Sequence, residues 1–381
     1  MWYDDSMKTL ITHVNCCQNL EESAKIQWDN CREHPAYRKA ALFPDAHMGY
    51  DAPIGSVFAL KDWVVPSWVG YDIGCGMSAC QINIKHKDIQ DHLLEIHQEI
   101  HNQVPCGDSS HPQPIHTYDI NRQTEGIQDS FSKRKVFEQL GTLGGGNHFI
   151  ELDKDIDDYI WIVVHSGSRG FGHGIGTYWM RKQKDESSGI GWYVKSREAQ
   201  SYLYDVSVCL DYAERNRKLI ADLVKSAITT VLYRHQNTIH IYDVMTIDTV
   251  HNDVQFIQND DLNLYVHRKG AARLFESKLG IIAGNMKDGN CIVEGMGNQD
   301  YLYSCSHGAG RKMSRTKAKE TIIFAEFEEK MKGIVADVCA STLDESPQAY
   351  KDLFDVVKIQ EKNKIIKCHK WLTSLLNVKG K

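Results

Sequence analysis

Several short loops of this 381-residue chain combine glycine with an isolated side chain that can bind a metal ion. Glycine lets backbone amides approach a ligand closely, and successive amides in such loops form nests that hold anions such as phosphate. Of the 28 glycines, 15 fall in the loops 44–55, 69–77, 141–151, 163–174 and 306–311, and the segment 248–252 joins this group through its histidine. The pattern predicts a site shared by a metal ion and an anion.

Candidate metal ligands stand in four of these loops. In VGYDIGCGM, Asp72 and Cys75 are close enough for one tight turn to point both at a cation. His148, His165 and His251 each end or follow an apolar run. A lone cysteine or histidine is more often structural, but this set in matching loops favours a metal site. A bridging thiolate would allow two ions. Ligand softness favours Zn²⁺, whereas the carboxylate and a phosphate-bearing substrate leave Mn²⁺ open.

The loop SHGAGR at 306–311 has a different character, because basic residues follow it. These residues are Arg311, Lys312, Arg315, Lys317 and Lys319. A cationic run after a glycine turn attracts phosphate, although the lysines fit a solvated helix face equally well. A neutral imidazole can attack phosphorus to give a phosphoramidate, which makes His307 a candidate nucleophile. None of the loops matches a Walker A sequence or a dinucleotide-binding fingerprint.

Helices and strands must position these loops. Apolar spacings of three to four predict helices at 89–100, 194–235, 314–333 and 347–370. Runs rich in β-branched and aromatic residues predict strands at 161–165, 239–244 and 264–267. The segment 106–130 has neither periodicity, which indicates a mobile loop. Strands that end in ligand loops, mixed with long helices, predict an α+β fold with a central cleft.

Composition sets broad limits on the class of protein. A hydrophobic content of 42% supports a substantial core, and a net charge of −6 means that any RNA contact must come from a local basic patch. Eleven scattered cysteines without a CxxC pair indicate reduced thiols rather than a disulfide framework. The amino-terminal MWYDDSMKTL lacks an apolar core, and no stretch is as apolar as a membrane span. These features predict a cytoplasmic protein without membrane contact.

Taken in order, the motifs resemble the RtcB family of RNA-splicing ligases. The resemblance rests on VGYDIGCGM, GTLGGGNHFIE, HSGSRG, the His-Asn of DTVHN, HRKGAAR, SHGAGRKMSR and the terminal VKG. It runs from about Pro44 to Gly380, nearly the whole chain. It implies one catalytic domain over 1–381, with the family's own α+β fold and a central cleft for metal and nucleotide.

The resemblance also implies a reaction. The family uses Mn²⁺ and GTP to join an RNA ending in a 3′-phosphate or 2′,3′-cyclic phosphate to an RNA with a 5′-hydroxyl. His307 would attack the α-phosphate of GTP and carry GMP, which then passes to the RNA 3′-phosphate before the 5′-hydroxyl attacks. The expected roles are RNA repair or tRNA splicing, with an archease-like activator as a candidate partner. We expect a monomer.

Site residues follow from the matched motifs. The implied ligands of two Mn²⁺ ions are Asp72, Cys75, His148, His165 and His251, with Cys75 bridging. The implied nucleotide-contacting residues are Asn147, His148, Phe149, Ile150, Glu151, His251, Asn252, Glu294, Gly295, Met296, Asp300, His307, Gly308, Ala309, Gly310 and Lys379. We also expect Arg169 and Arg311 to contact RNA or phosphate.

Some positions depart from the family pattern. Glu294 to Gly297 replace a Pro-Gly-Ser-Met-Gly stretch, Asp300 takes a usual serine position, and Asp51 stands where glycine is common. The chain is also compact for the family, which indicates a divergent bacterial branch. Two other classes stay open: a metal-dependent phosphodiesterase or phosphatase, which would not need His307 or Lys379, and a non-catalytic RNA-processing accessory protein, which could have lost metal ligands.

Overall fold

The computed structural model describes residues 12–132, 135–236, 240–259 and 262–380. The amino-terminal MWYDDSMKTL, used above to predict the cellular compartment, lies outside the described residues. Within these ranges, no helix has both the length and the apolar character needed to cross a bilayer.

Runs of consecutive strands, such as those between Asp243 and Ser306, are separated by groups of helices, which agrees with the α+β prediction. The helices are α1 Glu22–Arg32, α2 His86–Ile89, α3 Leu93–Gln103, α4 Glu125–Phe131, α5 Arg169–Ser187, α6 Arg197–Arg234, α7 Arg315–Thr321, α8 Phe324–Lys330 and α9 Leu353–Lys362. The strands are β1 Thr12–Asn15, β2 Tyr37–His47, β3 Ile54–Lys61, β4 Trp63–Val64, β5 Gly76–Lys85, β6 Phe149–Lys154, β7 Tyr159–Ser166, β8 Trp192–Tyr193, β9 Asp243–Val250, β10 Asn252–Asn259, β11 Leu262–Lys269, β12 Ala271–Arg273, β13 Leu279–Ala283, β14 Asn290–Gly295, β15 Ser304–Ser306, β16 Val335–Ala336 and β17 Ile366–Lys379.

Two sheets form the framework. The larger has the strand order β13-β14-β17-β6-β7-β5-β9, with β16 beside β17, and the smaller has the order β1-β2-β3-β11-β10. The pairs β12-β15 and β4-β8 are separate. Helices α3 and α6 cover one face of the larger sheet, where Ile96, Ile220 and Val224 pack against Ile150 and Val164. Helices therefore cover one face of the larger sheet.

The long helix α6 confirms the prediction over 194–235. Ser196 caps it by accepting a hydrogen bond from the amide of Ala199. The prediction over 89–100 is also confirmed in outline, as α2 and α3 separated by a 3₁₀ turn at Gln90–His92.

The other two predicted helices differ from the structure. The segment 314–333 holds two short helices, because Ile322 and Ile323 take extended backbone angles between them. The helix predicted over 347–370 is present only over Leu353–Lys362, as α9, and the prediction is wrong on either side of it. Lys364 has a φ of 53°, which ends the helical path, and Ile366 then starts the long strand β17. Apolar residues that alternate in a strand mimic helical spacing over such a short window.

The predicted strands at 161–165 and 264–267 lie within β7 and β11. The prediction at 239–244 is wrong in its bounds, because β9 begins only at Asp243, and Ile239 lies outside the described residues. Segment 107–124 has no helix or strand, as expected, but Glu125 begins α4, which is capped by Thr124.

Candidate active site

Antiparallel pairing brings four ligand loops to one edge of the larger sheet. Strands β5 and β6 begin at this edge, whereas β7 and β9 end there, so that Gly76 pairs with both Ser166 and Val250, and Phe149 pairs with His165. A residue just before one strand therefore lies near a residue at the end of its neighbour. The register alone gathers side chains that are far apart in sequence.

The predicted metal ligands form one continuous cluster at this edge. Oδ2 of Asp72 lies 3.1 Å from Nε2 of His148, whose Nε2 is 3.5 Å from Sγ of Cys75. The same sulfur is 3.3 Å from Nε2 of His165, which is 3.4 Å from Nε2 of His251. Ligands about 2.0–2.3 Å from one ion are separated by about these distances. The thiol of Cys75 stands in the middle of the chain of contacts.

An unsatisfied carboxylate oxygen and two neutral imidazoles indicate that the cluster fits a metal ion. Oδ1 of Asp72 is buried without a hydrogen-bond partner among the described residues. Burial lowers the pKa of His165 and of His251 well below the usual value, which leaves both imidazoles neutral. Burial and the Asp72 carboxylate raise the pKa of the Cys75 thiol, an effect that a nearby cation would offset.

Two neighbouring residues of α6 hold the ligand loops in place. Arg217 is fully buried and bonds Asp248 through Nε and Nη2 at 2.7 and 2.6 Å. Its Nη1 donates to the carbonyl oxygens of Gly74 and Ser166, each adjacent to a ligand. Asn216 accepts from the amides of Gly141 and Thr142 and donates to the carbonyl of Thr142 in the next loop. The helix thus fixes three loops together.

One glycine of the GGGN sequence is required by close packing. Gly144 has a φ of 92°, and a Cβ there would lie 2.6 Å from Nδ1 of His148 and even closer to the guanidinium of Arg169. Arg169 itself donates to Oγ1 of Thr142 at 3.0 Å and to the carbonyl of Gly107 at 2.9 Å. Its guanidinium thus braces the glycine loop, and the RNA or phosphate contact expected of Arg169 stays a prediction.

The candidate nucleophile lies beside the metal cluster. The rings of His307 and His251 have centroids 4.8 Å apart. Nδ1 of His307 lies 2.8 Å from Oδ2 of Asp45, whose Oδ1 accepts a 2.8 Å hydrogen bond from Ser306. Burial opposes ionisation of Asp45, but hydrogen bonds from His307 and Ser306 outweigh it and lower its pKa. A carboxylate at Nδ1 places the ring proton there and leaves Nε2 with its lone pair.

A cavity of about 290 Å³ opens beside His307. It is lined by these predicted nucleotide-contacting residues: Asn147, Phe149, Glu151, His307, Gly308, Ala309, Gly310 and Lys379. Nζ of Lys379 lies 4.9 Å from the centre of the Phe149 ring and 2.9 Å from Oε2 of Glu345. Lys379 is the last residue of β17 and pairs with Phe149. The strand therefore holds it in place, and the residue is only 5% exposed. The carboxyl terminus thus contributes to the cavity wall.

Comparison with known proteins shows the family of this chain. The sequence model of the family described as tRNA-splicing ligase RtcB matches residues 27–134 and 116–380. The chain is 34% identical over 372 residues to the RNA-splicing ligase RtcB of Escherichia coli, covering 90% of each chain. The chain belongs to the RtcB family. It is also 29% identical to the tRNA-splicing ligase RtcB of Nanoarchaeum equitans, covering 89% of this chain and 88% of that one. The predictions of the family, of a ligase and of a mixed helix-and-sheet fold are confirmed.

Two residues expected to contact the nucleotide, Ile150 and Asn252, do not line this cavity. Ile150 alternates with Phe149 and Glu151 along β6, so it faces the opposite side and packs in the core under α6. Asn252 donates to the Asp72 carbonyl and accepts from the Gly270 amide, which ties two loops together.

The segment that departs from the family pattern is also remote. Asn290 at the start of β14 lines the cavity, but Glu294 and Gly295 lie at the other end of that strand, about 13 Å further on. Met296 is 47% exposed, and Asp300 pairs with Lys39 at 3.1 Å on the surface. The structure does not bring this segment to His307.

The departure at position 51 has a backbone explanation. Asp51 has a φ of 57°, in the left-handed region that favours glycine. Aspartate tolerates this region better than most residues, because its short polar side chain can bond locally. The turn at Asp51 therefore forms without glycine.

Sequence reasoning missed several residues of this site. Asp45 stands in PDAH, within a loop singled out above, but nothing in its spacing connects it with His307. Tyr350 also lines the cavity, beside Arg315 of the basic run named above, and Glu345 bonds Lys379 in the cavity wall. Burial opposes ionisation of Glu345, but Lys379 and Arg315 lower its pKa to about 2. Tyr350 and Glu345 come from a segment in which no spacing indicated chemistry, so only the folded chain identifies them.

Proposed function

We propose that this protein is a GTP- and Mn²⁺-dependent RNA ligase that joins 3′-phosphate or 2′,3′-cyclic phosphate ends to 5′-hydroxyl ends through a His307–GMP intermediate. The observation that carries the proposal is the placement of His307. Its Nδ1 is held by Asp45, and its ring lies against a metal-ligand cluster on one side and a nucleotide-sized cavity on the other. A hydrolase would need the metal cluster but no such oriented imidazole.

The cluster divides naturally into two sets of ligands that share a sulfur. Asp72, His148 and Cys75 would hold one Mn²⁺, and Cys75, His165 and His251 would hold the other. When bound, the ions would neutralise phosphate charge and polarise phosphorus towards attack. The carboxylate in one set and the phosphate-bearing substrate favour Mn²⁺ in this role.

The cavity wall suits a guanine base. The edge of guanine presents one carbonyl acceptor beside ring and amino N–H donors. Lys379 is a donor and Glu151 an acceptor, and the Phe149 ring offers a stacking surface between the cavity and β6. Burial raises the pKa of Glu151, and two asparagine amides, from Asn290 and Asn377, hold its oxygens. We infer that Lys379 and Glu151 select GTP.

The residues of this chain account for the transfers as follows. Nε2 of His307 attacks the α-phosphorus of GTP, an N–P bond forms, and pyrophosphate leaves as the bond to the β-phosphate oxygen breaks. Asp45 stabilises the positive imidazole. An oxygen of the RNA 3′-phosphate then attacks the same phosphorus, which breaks the N–P bond. The 5′-hydroxyl finally attacks the activated 3′-phosphate and releases GMP. Where the RNA ends in a cyclic phosphate, water opens that ring before GMP is transferred.

The experiment that tests the proposal is covalent labelling with α-labelled GTP. Wild type with Mn²⁺ is expected to acquire an acid-labile label and to ligate RNA with matched ends. His307→Ala should acquire none, whereas His47→Ala, a control histidine in the same cavity wall, should still be labelled. An unlabelled wild type with Mn²⁺, Zn²⁺ or Co²⁺ and with either GTP or ATP would overturn the proposal. Phosphate release without labelling would indicate a phosphodiesterase or phosphatase.

The biological setting stays a prediction from the family. We propose RNA repair or tRNA splicing in the cytoplasm by a monomer, assisted by an archease-like activator. Turnover in the presence and absence of such an activator tests the last point, because stimulation should affect repeated cycles more than a single labelling event.

A further inference from the structure

A second group of metal-ligating side chains lies outside the active site, between α3 and the strand β16. It consists of His97, His101 and Asp337, whose ligand atoms all lie within 4.8 Å of one another. None of the three belongs to the active-site cluster. Nothing in the motifs of the sequence pointed to this group, because Asp337 is more than two hundred residues from both histidines.

The helix sets the two histidines on the same face. They are four residues apart on α3, which places their side chains one turn apart, and their ring centroids are 4.8 Å apart at 74°. Asp337 directly follows β16, which packs against α3. The carboxylate thus meets the histidine pair where helix and strand are in contact.

The distances match those between ligands of a single tetrahedral ion. Oδ1 of Asp337 lies 3.6 Å from Nε2 of His97 and 3.2 Å from Nε2 of His101. Ligands about 2.0–2.1 Å from a tetrahedral ion are separated by about 3.3 Å. The 3.6 Å separation is too long for a hydrogen bond but suits two ligands of one ion.

The surroundings are partly enclosed, as a metal site requires. Side-chain exposure is 12% for His97, 32% for His101 and 6% for Asp337. The second oxygen of Asp337, Oδ2, accepts a 3.0 Å hydrogen bond from the backbone amide of Lys379. This bond orients the carboxylate so that both oxygens lie 3.2 Å from Nε2 of His101 and Oδ1 also faces His97, the kind of supporting contact that metal-binding carboxylates make.

We propose that His97, His101 and Asp337 bind a Zn²⁺ ion that is separate from the active-site metals. Two imidazole nitrogens and one carboxylate oxygen are ligands typical of zinc, with water as the fourth. The ion would clamp α3 to the chain segment that supports Lys379. Its role is structural, because none of these three side chains is among the described residues that line the cavity beside His307.

Metal analysis in a suitable background tests the proposal independently of ligase activity. The parent carries Cys75→Ala and His165→Ala, which remove two active-site ligands. After equilibration with Zn²⁺ at mildly alkaline pH and removal of free metal, the parent is expected to retain about one ion per chain. Adding His101→Gln or His97→Gln should abolish this retention. Co²⁺ in place of Zn²⁺ should give the intense visible bands of a four-coordinate ion in the parent alone.

A matched control exists on the neighbouring surface. His235 of α6 contacts Glu95 at 3.0 Å and stacks on His92, forming a more exposed group of similar composition. His235→Gln in the parent should leave metal retention unchanged. Loss of the ion with His235→Gln but not with His101→Gln would overturn the assignment, as would a parent that binds no ion.

Thermal unfolding separates metal binding from a simple folding defect. In EDTA, the parent and the His101→Gln and His97→Gln variants should unfold cooperatively, which shows that each is folded. Added Zn²⁺ should raise the unfolding midpoint of the parent and leave those of both glutamine variants unchanged. An equal rise in all of them would show that zinc acts elsewhere, and the proposal would fail.

Discussion

Nδ1 of His307 lies 2.8 Å from Oδ2 of Asp45, a carboxylate with no exposed surface. The two residues are separated by most of the chain and meet because the loop after β15 packs against the end of β2. This contact favours the ring tautomer with its proton on Nδ1, and in the proposed reaction it would stabilise the imidazolium that forms during transfer.

Replacing Asp45 by asparagine should slow the nucleotidylation of His307. The amide keeps the shape but neither fixes the Nδ1 proton nor balances the charge on the ring, so a loss of up to about 10⁴-fold is expected. Rapid-quench labelling with α-labelled GTP at saturating concentration measures it. Ser306→Ala, which removes only the hydrogen bond to Oδ1 of Asp45, should have a smaller effect. An Asp45→Asn rate equal to that of wild type would contradict the positioning role.

Ligand substitutions should remove metal ions selectively. We expect His148→Ala to lose one Mn²⁺ and His251→Ala to lose the other, whereas Cys75→Ala loses both because its sulfur is shared. Isothermal titration with Mn²⁺ measures the stoichiometry. If Cys75→Ala bound as many ions at the same affinity as wild type, the bridging role would be wrong.

Lys379→Ala should impair guanine recognition more than chemistry. Loss of a hydrogen bond to a charged group is expected to raise the KM for GTP about 10- to 100-fold, with a smaller change in kcat. It should also reduce the preference for GTP over ATP. Steady-state nucleotidylation with both nucleotides provides the comparison. Lys367→Ala, an exposed lysine on the same strand, is the matched control and should resemble wild type.

Arg217→Met should destabilise the fold strongly. It breaks the ion pair between the buried guanidinium and the partly exposed Asp248, and it leaves two buried loop carbonyls without a donor, so the free energy of unfolding should fall by about 2–5 kcal/mol. Urea unfolding measures it. Arg215→Met on the same helix removes an exposed pair with Asp211 and should cost at most about 1 kcal/mol. Similar losses for the two variants would contradict the role of Arg217.

The pair His101–Asp337 should give a defined pH dependence in metal-free protein. The hydrogen bond that His101 donates to Asp337, followed by a smaller effect of Cys106, raises the pKa of His101 to about 9, from 6.5. A raised pKa means that the pair stabilises the fold fully below about pH 6.5 and that this contribution is lost as pH rises through about 9. The difference in unfolding midpoint between wild type and His101→Gln, measured in EDTA, should therefore shrink over that window. A difference independent of pH would contradict the pair.

The local sequence determined which residues can do chemistry. Asp72, Cys75 and the loop histidines follow or end apolar runs, so strand ends and glycine turns could be predicted from patterning alone. The long helix α6 was equally clear, since its apolar spacing persists over many turns. Short segments such as 366–370 were not, because a few alternating residues satisfy helix and strand spacing alike.

Pairing between distant segments was decided only by the tertiary structure. Antiparallel register gathers the metal ligands at one end of the strands. Side chains alternate along β6, so Ile150 faces away from the cavity, and Glu294 lies at the far end of β14 from it. Asp45 reaches His307, and Asp337 reaches His101, through packing between elements far apart in the chain. Side-chain type is a property of each position, whereas contact depends on how all the elements pack, so the sequence named the chemical groups and the fold chose their partners.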